Sequence, residues 1–444
     1  MSESPNITSR LFRNASWLFA GKTFASVCFS VQTILLARVL GVADYGLMTL
    51  VIAYVSIVGN LFDWKMWETA TKYIGTFWTS GEKDKAASMI KLSYLLDISS
   101  GIVGFCVVVL TSELAVTYIL KSPGIQNLVW IYSLSLLILM VNNTSDAVLR
   151  VFERFKVLAF IASFTNIFSL ALIAVVLQMD LGIEWVLLSM VASFFGGFVI
   201  RIWFVGATLS RNGLGKWWLA RLGLIKGQWK EIGWFTVNTS FAGSLKLAND
   251  NNLGPLVLGF FSGKEAVAFY KIARSVTRLM TRIIQPVYEV IYPELVKMSA
   301  DNALRDFKKL IRESTKHMSY VLVPIAAVLI IFPEVVVSLV FGRDYLPAAA
   351  ALRIVAVAVF ITQITFWIVP GLLAFGKPGL RTYSTLTSTI VYVLLLLILV
   401  PEHSFIGASW AYLGFAVAGA LVSFVSLAAS YTERKKRSGM EIAE

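Results

Sequence analysis

Two stretches of sequence, LGVADYGLMTL at residues 40–50 and FSGKEAVAFYKIA at residues 261–273, decide the fold. Each places a glycine, Gly41 or Gly263, at the end of a long apolar run, and the two glycines lie 222 positions apart. Two further pairs keep nearly the same offset: LRVFERFK from Leu149 with LLAFGKPG from Leu372, and Gly182-Ile183-Glu184-Trp185 with Gly407-Ala408-Ser409-Trp410. Three markers in one order at nearly one offset predict an internal repeat of about half the chain.

The composition indicates a membrane protein. Of the 444 residues, 57% are apolar and 15% are charged, and the mean hydropathy is +0.74. Such values are typical of multi-span membrane proteins. A helix needs about 20 apolar residues to cross a hydrocarbon core about 30 Å thick. Twelve apolar runs have that length: 15–39, 45–66, 89–111, 126–149, 157–179, 184–208, 234–261, 265–292, 316–340, 347–375, 381–400 and 405–430.

Lysine and arginine are distributed unevenly between the connecting segments. If the N-terminus is cytoplasmic, 27 of them fall in cytoplasmic segments and four in segments on the opposite side. This positive-inside bias predicts that both termini are cytoplasmic. The first apolar run is too long for a signal peptide, so we expect it to be a retained span. The net charge of +13 is therefore a topology signal, and no nucleic-acid partner is expected.

The longest charged connection divides the spans six and six. We predict a six-helix lobe over residues 1–208, a cytoplasmic amphipathic linker over 209–233, and a second six-helix lobe over 234–444 with a short basic tail. Because six is even, both lobes enter and leave on one side, so the repeat is parallel, with its axis along the membrane normal. The predicted class is an all-α polytopic membrane protein with about 12 transmembrane helices in two parallel six-helix repeats around a central cavity.

The eighth predicted span carries cations that a lipid-facing helix would exclude. Lys271, Arg274, Arg278 and Arg282, here called the basic stripe, are spaced by three, four and four residues and share one helical face. Glu289 extends this face to about 27 Å. Each charge at the bilayer centre costs about 3 kcal/mol, so the stripe is expected to face a water-filled cavity and to bind an anionic ligand.

Other charged residues within the spans are candidates for the same cavity. Lys22 in the first span and Lys246 in the seventh are expected to join the basic stripe in binding an anionic head group. The candidates for ion coupling or gating are acidic: Asp63, Asp97, Asp250 and Glu289. The alternative is that the basic stripe pairs with these acids, or with Asp146, on neighbouring helices. Lys246 and Asp250 are four residues apart and can also pair with each other.

The sequence carries no signature of catalysis. It contains neither a nucleotide-binding P-loop nor a serine-hydrolase elbow. Cys28 and Cys106 lie in predicted spans, and His317 and His403 are isolated, so we expect neither a disulfide framework nor a metal site. The expected protein is a transporter and not an enzyme, has no cofactor, and draws on an ion gradient or on the membrane potential.

Several stretches resemble segments of the polysaccharide and O-antigen flippases, a branch of the multidrug/oligosaccharidyl-lipid/polysaccharide exporter superfamily. They are ARVLGVADYGLMTLV (37–51), DWKMWETATKYIG (63–75), LGFFSGKEAVAFYKIARSV (258–276), PVYEVIYPEL (286–295), RDYLPAAAALRI (343–354) and FIGASWAYL (405–413). The resemblance implies that a polyprenyl-(di)phosphate-linked oligosaccharide moves from the cytoplasmic to the outer leaflet of the plasma membrane, for cell-surface polysaccharides such as the O-antigen of lipopolysaccharide. It also implies a cationic cavity open to the membrane lipid, coupling to H⁺ or Na⁺, and association with a polysaccharide polymerase.

Three other functions stay open at this point. A multidrug or organic-ion antiporter has the same fold, but a basic cavity would repel organic cations. A lipid II flippase also has this fold, and many of these proteins carry two extra spans. A membrane O-antigen polymerase or ligase is the alternative from another class. Such enzymes usually have a large extracytoplasmic loop, whereas every connection predicted outside the cell is short.

Overall fold

The structure is a computed structural model that describes residues 7–64, 66–244 and 252–441, and these residues are almost entirely helical. No β-strand occurs within those three ranges. Helix is the expected outcome, because a backbone in hydrocarbon must satisfy its own hydrogen bonds. The predicted all-α class is confirmed.

The described residues pack as two compact units, one within Met1–Leu40 and Leu50–Leu253 and the other within Gly41–Thr49 and Gly254–Glu444. The first of these units contains most of α1 (Ile7–Phe62) together with α2 (Met66–Thr79), α3 (Lys83–Leu114), α4 (Gln126–Leu139), α5 (Asn142–Val151), α6 (Phe155–Gln178), α7 (Ile183–Arg211) and α8 (Trp229–Ser244). A π-helical turn at Ala115–Ile119 extends α3, and two 3₁₀ helices, Trp217–Leu219 and Leu222–Gln228, connect α7 to α8. The lobe boundary drawn at residues 209–233 remains a prediction.

The second unit begins with two helices on either side of the turn at Gly263. Its helices are α9 (Leu253–Ser262), α10 (Lys264–Ala300), α11 (Leu304–Ile331), α12 (Pro333–Val340), α13 (Ala348–Ile364), α14 (Ile368–Ala374) and α15 (Pro378–Glu441). Residues 41–49 of α1 pack with them. Gly46 shows how close this packing is, because a Cβ atom there would lie 1.9 Å from the carbonyl oxygen of Lys264.

The predicted spans coincide with helices wherever the structure describes them, and two of them, 45–66 and 234–261, include residues outside the described ranges. Eight stretches are long and apolar enough to cross a membrane. Two of them contain a break, one at Gly41 and the other at Ser404, and each therefore supplies two spans. The two remaining spans correspond to the charged helix α10 and to the pair α8 and α9, which flank residues outside the described ranges.

The turns repeat along with the sequence. Gly41 (φ 73°, ψ 177°) and Gly263 (φ 85°, ψ 177°) have almost the same backbone conformation. Glu153 and Gly376, which are 223 positions apart, both have positive φ angles, 54° and 70°. Gly182 (φ 85°) and Ser404 (φ 51°), which are 222 positions apart, form a third pair of positive-φ positions, three residues before the sequence marker at Gly407. Gly407 is required for a different reason, since a Cβ atom there would lie 2.2 Å from the carbonyl oxygen of Leu399.

Candidate functional site

A single helix, α10, carries the whole basic stripe. Its packed face is made by buried residues spaced by three or four: Ala266, Tyr270, Ala273, Thr277, Met280 and Ile284. This face packs on α13 and α14. Lys271, Arg274 and Arg278 each directly follow one of these buried residues, so the basic stripe lies about 100° around the helix, beside the packed face. The spacing of the buried residues of α10 therefore determines which face of the helix carries the side chains of the basic stripe.

Exposure increases along the basic stripe. Lys271, Arg274 and Arg278 are half-buried, whereas Arg282 is exposed. No carboxylate in the described part of the chain lies within ion-pair distance of Arg282. The guanidinium group of Arg278 is repelled by the positive charges of Arg274 and Arg282. Like charges four residues apart destabilise a helix by a few tenths of a kcal/mol. The helix is therefore slightly destabilised by having its guanidinium groups close together on one face.

Arg274 is held by aromatic residues of α15. The carbon at the centre of its guanidinium group lies 3.6 Å from the centroid of the Tyr412 ring. Tyr412 stacks on Phe415 with ring planes 12° apart and meets the edge of Tyr392 at 6.3 Å. The hydroxyl groups of Tyr392 and Tyr270 lie 3.3 Å apart. A guanidinium group on a tyrosine face keeps its charge and gains a fixed orientation.

Three acidic residues of the first unit have polar partners, two of them at the break between α4 and α5. Asp97 of α3 is 1% exposed and accepts hydrogen bonds at one oxygen from the Thr144 backbone N–H (2.9 Å) and hydroxyl (2.6 Å). Thr144 is in the first turn of α5, where backbone N–H groups have no helical partner. Asp97 therefore caps α5 from a neighbouring helix.

The other two acids, Asp63 and Asp146, have polar partners of their own. The side-chain amide of Asn143 donates to Asp63 at 3.0 Å, and the next residue, Thr144, donates to Asp97. Two consecutive residues of α5 thus hold Asp63, which directly follows α1, and Asp97 of α3. Asp146 accepts a hydrogen bond from Arg201 of α7 at 2.8 Å. One alternative is that the basic stripe pairs with intramembrane acids. Of these acids, Asp63, Asp97 and Asp146 have other partners within the first unit.

Several of the predicted site residues cannot be placed. Lys246 and Asp250 lie outside the described residues, and the side chains of Lys22 and Glu289 lie outside the described side chains. The remaining candidates fall into two groups, the basic stripe on α10 and the pair of Asp63 and Asp97 at the α5 N-terminus. The roles assigned to both groups remain predictions. In the described ranges no cluster of three or more His, Cys, Asp or Glu side chains could hold a metal ion.

The partners of these residues are not apparent from the sequence. Tyr412 and Asn143 contact charges that lie far away along the chain, and neither belongs to a spaced motif. One signal was available for the α5 break, the polar run NNTSD at residues 142–146 within an apolar span. The four polar residues that follow Asn142 all hydrogen-bond to side chains outside α5: Asn143, Thr144, Ser145 and Asp146.

Comparisons with known proteins agree with this architecture. The model of a family described as "Polysaccharide biosynthesis protein" matches residues 35–350. The probable low-salt glycan biosynthesis flippase Agl15 of Haloferax volcanii is 27% identical over 183 residues, which are 40% of this chain. The match covers 39% of the length of Agl15, so the chain spans about two-fifths of this curated relative.

Two solved structures share the fold over nearly the whole chain. An inward-facing multidrug resistance MATE family transporter of the MOP superfamily has a TM-score of 0.76 at 14% identity, covering 93% of this chain and 96% of that chain. The lipid II flippase MurJ, in an inward closed conformation, has a TM-score of 0.73 at 16% identity, covering 95% of this chain and 91% of that chain. At these identities the likeness establishes the fold and leaves the cargo undefined.

Proposed function

This chain belongs to the polysaccharide biosynthesis protein family, and we propose that it is a flippase for a polyprenyl-(di)phosphate-linked oligosaccharide. It is a multi-pass membrane protein. It moves the cargo from the cytoplasmic to the outer leaflet by alternating access and supplies cell-surface polysaccharide biosynthesis. The observation that carries the proposal is the basic stripe on α10, in which exposure increases towards Arg282.

The basic stripe fits a phosphate-linked cargo. Guanidinium groups present paired N–H donors that match phosphate and carboxylate oxygens, and such charge-assisted bonds are about twice as strong as neutral ones. Arg278 and Arg282 bind the head group, and Arg274 is oriented by Tyr412 behind them. Lys271 of α10 adds positive charge beside them, and Lys246 and Lys22 stay sequence-based candidates for binding the anionic head group. A cationic cargo would be repelled by these groups, which argues against an organic-cation exporter.

Coupling is assigned to the acids of the first unit, Asp63 and Asp97. These two carboxylates are bound by the consecutive residues Asn143 and Thr144, and their mutual repulsion changes when one of them gains a proton or a sodium ion. Because Asp97 also caps α5, binding of the ion is transmitted to the α4–α5 break. Asp250 and Glu289 are secondary candidates for coupling or gating.

The proposal includes a location and a role in the cell. The protein resides in the plasma membrane with both termini in the cytoplasm, and it works beside a polysaccharide polymerase. It acts as a transporter and catalyses no covalent step. The charge bias of the connecting segments supports this orientation.

The test compares Arg282→Ala and Arg278→Ala with a matched control, Arg381→Ala, at an exposed arginine in the first turn of α15. In cells that lack the native gene, we expect both stripe variants to insert into the membrane but to fail in export. Mass spectrometry of polyprenyl-linked glycans measures the accumulated cargo, and the control restores export. Full export by both stripe variants contradicts the proposal. Drug sensitivity of the deletion strain without glycan accumulation would favour the multidrug exporter instead.

A further inference from the structure

The connection between α7 and α8 forms a strap, defined here as residues 212–230, that is fixed to α3 along one edge. Ser88 of α3 donates a hydrogen bond to the carbonyl oxygen of Arg221 (3.0 Å), and the amino group of Lys91 donates to that of Ala220 (3.0 Å). Tyr94 stacks on Trp217 with ring centroids 4.8 Å apart. The strap therefore belongs to the folded body of the first unit.

The 3₁₀ geometry of the strap decides which side chains face α3. A 3₁₀ helix has three residues per turn, so every third side chain points the same way. Leu214, Trp217 and Ala220, and then Leu222, Ile225 and Gln228, are buried or half-buried at this spacing. The remaining two-thirds of the strap face away from the protein.

The outward side of the strap combines cations with large apolar groups. Its exposed apolar residues are Trp218 (54%), Leu219 (66%), Leu224 (47%) and Trp229 (48%). Its exposed cations are Lys216, Arg221, Lys226 and Lys230. Residues 212–230 include no Asp or Glu, and no described carboxylate lies within ion-pair distance of the four cations. Neither water nor hydrocarbon alone is a good solvent for such a surface.

We propose that the outward side of the strap is a binding site for anionic phospholipid head groups of the leaflet it faces. Tryptophan and leucine side chains enter the boundary between head groups and acyl chains, while lysine and arginine meet the phosphates. Each cation near an anionic surface strengthens binding about five-fold at ordinary ionic strength. The strap is fixed to α3, which also carries Asp97, so the lipid site and the proposed coupling site share one helix.

Bromine-labelled lipids test the site in the full-length protein. The protein is reconstituted with brominated phosphatidylglycerol or with brominated phosphatidylcholine at equal mole fraction, and tryptophan quenching is measured. Subtracting the tryptophan quenching of the Trp218→Phe/Trp229→Phe variant from that of the wild type gives the quenching of these two strap tryptophans. We expect phosphatidylglycerol to quench this signal more than phosphatidylcholine, and high salt to reduce the difference.

Two matched variants distinguish a lipid-binding site on the strap from a general effect of the positive charge of the protein. The strap variant replaces Lys216, Arg221, Lys226 and Lys230 by Gln. The control replaces four exposed cations of α11 by Gln: Lys308, Lys309, Arg312 and Lys316. We expect the preference for phosphatidylglycerol to disappear in the strap variant and to persist in the control, with unchanged thermal unfolding in both. Equal quenching by the two lipids in the wild type, or loss of the preference in the control, overturns the proposal. This experiment does not depend on the cargo, so its result stands apart from that of the flippase test.

Discussion

Arg274 differs from the other cations of the basic stripe because its guanidinium group already has an aromatic platform. The centroid of the Tyr412 ring lies 3.6 Å from the guanidinium carbon, and Tyr412 in turn stacks on Phe415. A desolvated cation–π contact is worth about 2 kcal/mol. In the proposed mechanism the Tyr412 ring orients Arg274, a role that a conservative substitution can preserve.

Tyr412→Phe and Tyr412→Leu should consequently behave differently. Phenylalanine keeps the π face, so we expect export close to that of the wild type. Leucine removes the face, and we expect export to fall by about ten-fold because Arg274 loses its orientation. Accumulated polyprenyl-linked glycan, normalised to the amount of protein in the membrane, measures the effect. Equal loss in both variants would assign the role to the tyrosine hydroxyl, and no loss in either would refute the platform.

Gly46 is a second residue whose role follows from a single distance. A Cβ atom at this position would lie 1.9 Å from the backbone oxygen of Lys264, which cannot swing aside as a flexible side chain could. We expect Gly46→Ala to destabilise the protein by about 1–3 kcal/mol, as overpacking usually does. Gly206→Ala in α7 is the control, because no heavy atom lies within 4 Å of its added Cβ. Thermal unfolding in detergent should show a lower midpoint for the first variant alone.

At the scale of the element, the cap on α5 combines a structural and an electrostatic role in one residue. Asp97 accepts both the N–H and the hydroxyl of Thr144 at a helix N-terminus, where a negative charge is favoured. A single substitution to alanine would remove both roles together. The isosteric amide separates them, because its carbonyl oxygen can still accept the backbone N–H while the charge is lost.

Asp97→Ala should therefore lower the stability by about 1–3 kcal/mol, since it leaves buried donors without an acceptor. We expect Asp97→Asn to keep most of the stability and to lose the dependence of export on the proton or sodium gradient. Thermal unfolding measures the first effect, and export at different external pH values and sodium concentrations measures the second. Gradient-dependent export by a stable Asp97→Asn protein would remove Asp97 from the coupling mechanism.

At the scale of the whole molecule, the sequence was sufficient for the spans but not for the contacts. Apolar length and the 222-residue offset predict the helices and the paired turns at Gly41 and Gly263, because both depend on local chain properties. The shared face of the basic stripe follows from helical periodicity in the same way. Tyr412 and Thr144 could not be predicted as partners of Arg274 and Asp97, since those contacts require the packing of distant helices. The close approach of Gly407 to Leu399 likewise could not be predicted, since it depends on the packing of two chain segments.

The orientation of the molecule in the membrane gives the last prediction. The 27-to-4 bias of Lys and Arg places the turn at Arg343 outside the cell and the end of α15 at Lys436 inside. In a background with Cys28→Ala and Cys106→Ala, single cysteines at these two exposed positions report the topology. A membrane-impermeant maleimide should label Arg343→Cys in intact cells and Lys436→Cys only after permeabilisation. The reverse labelling pattern would show that the protein has the opposite orientation in the membrane. The basic stripe would then have to bind its cargo from the opposite leaflet.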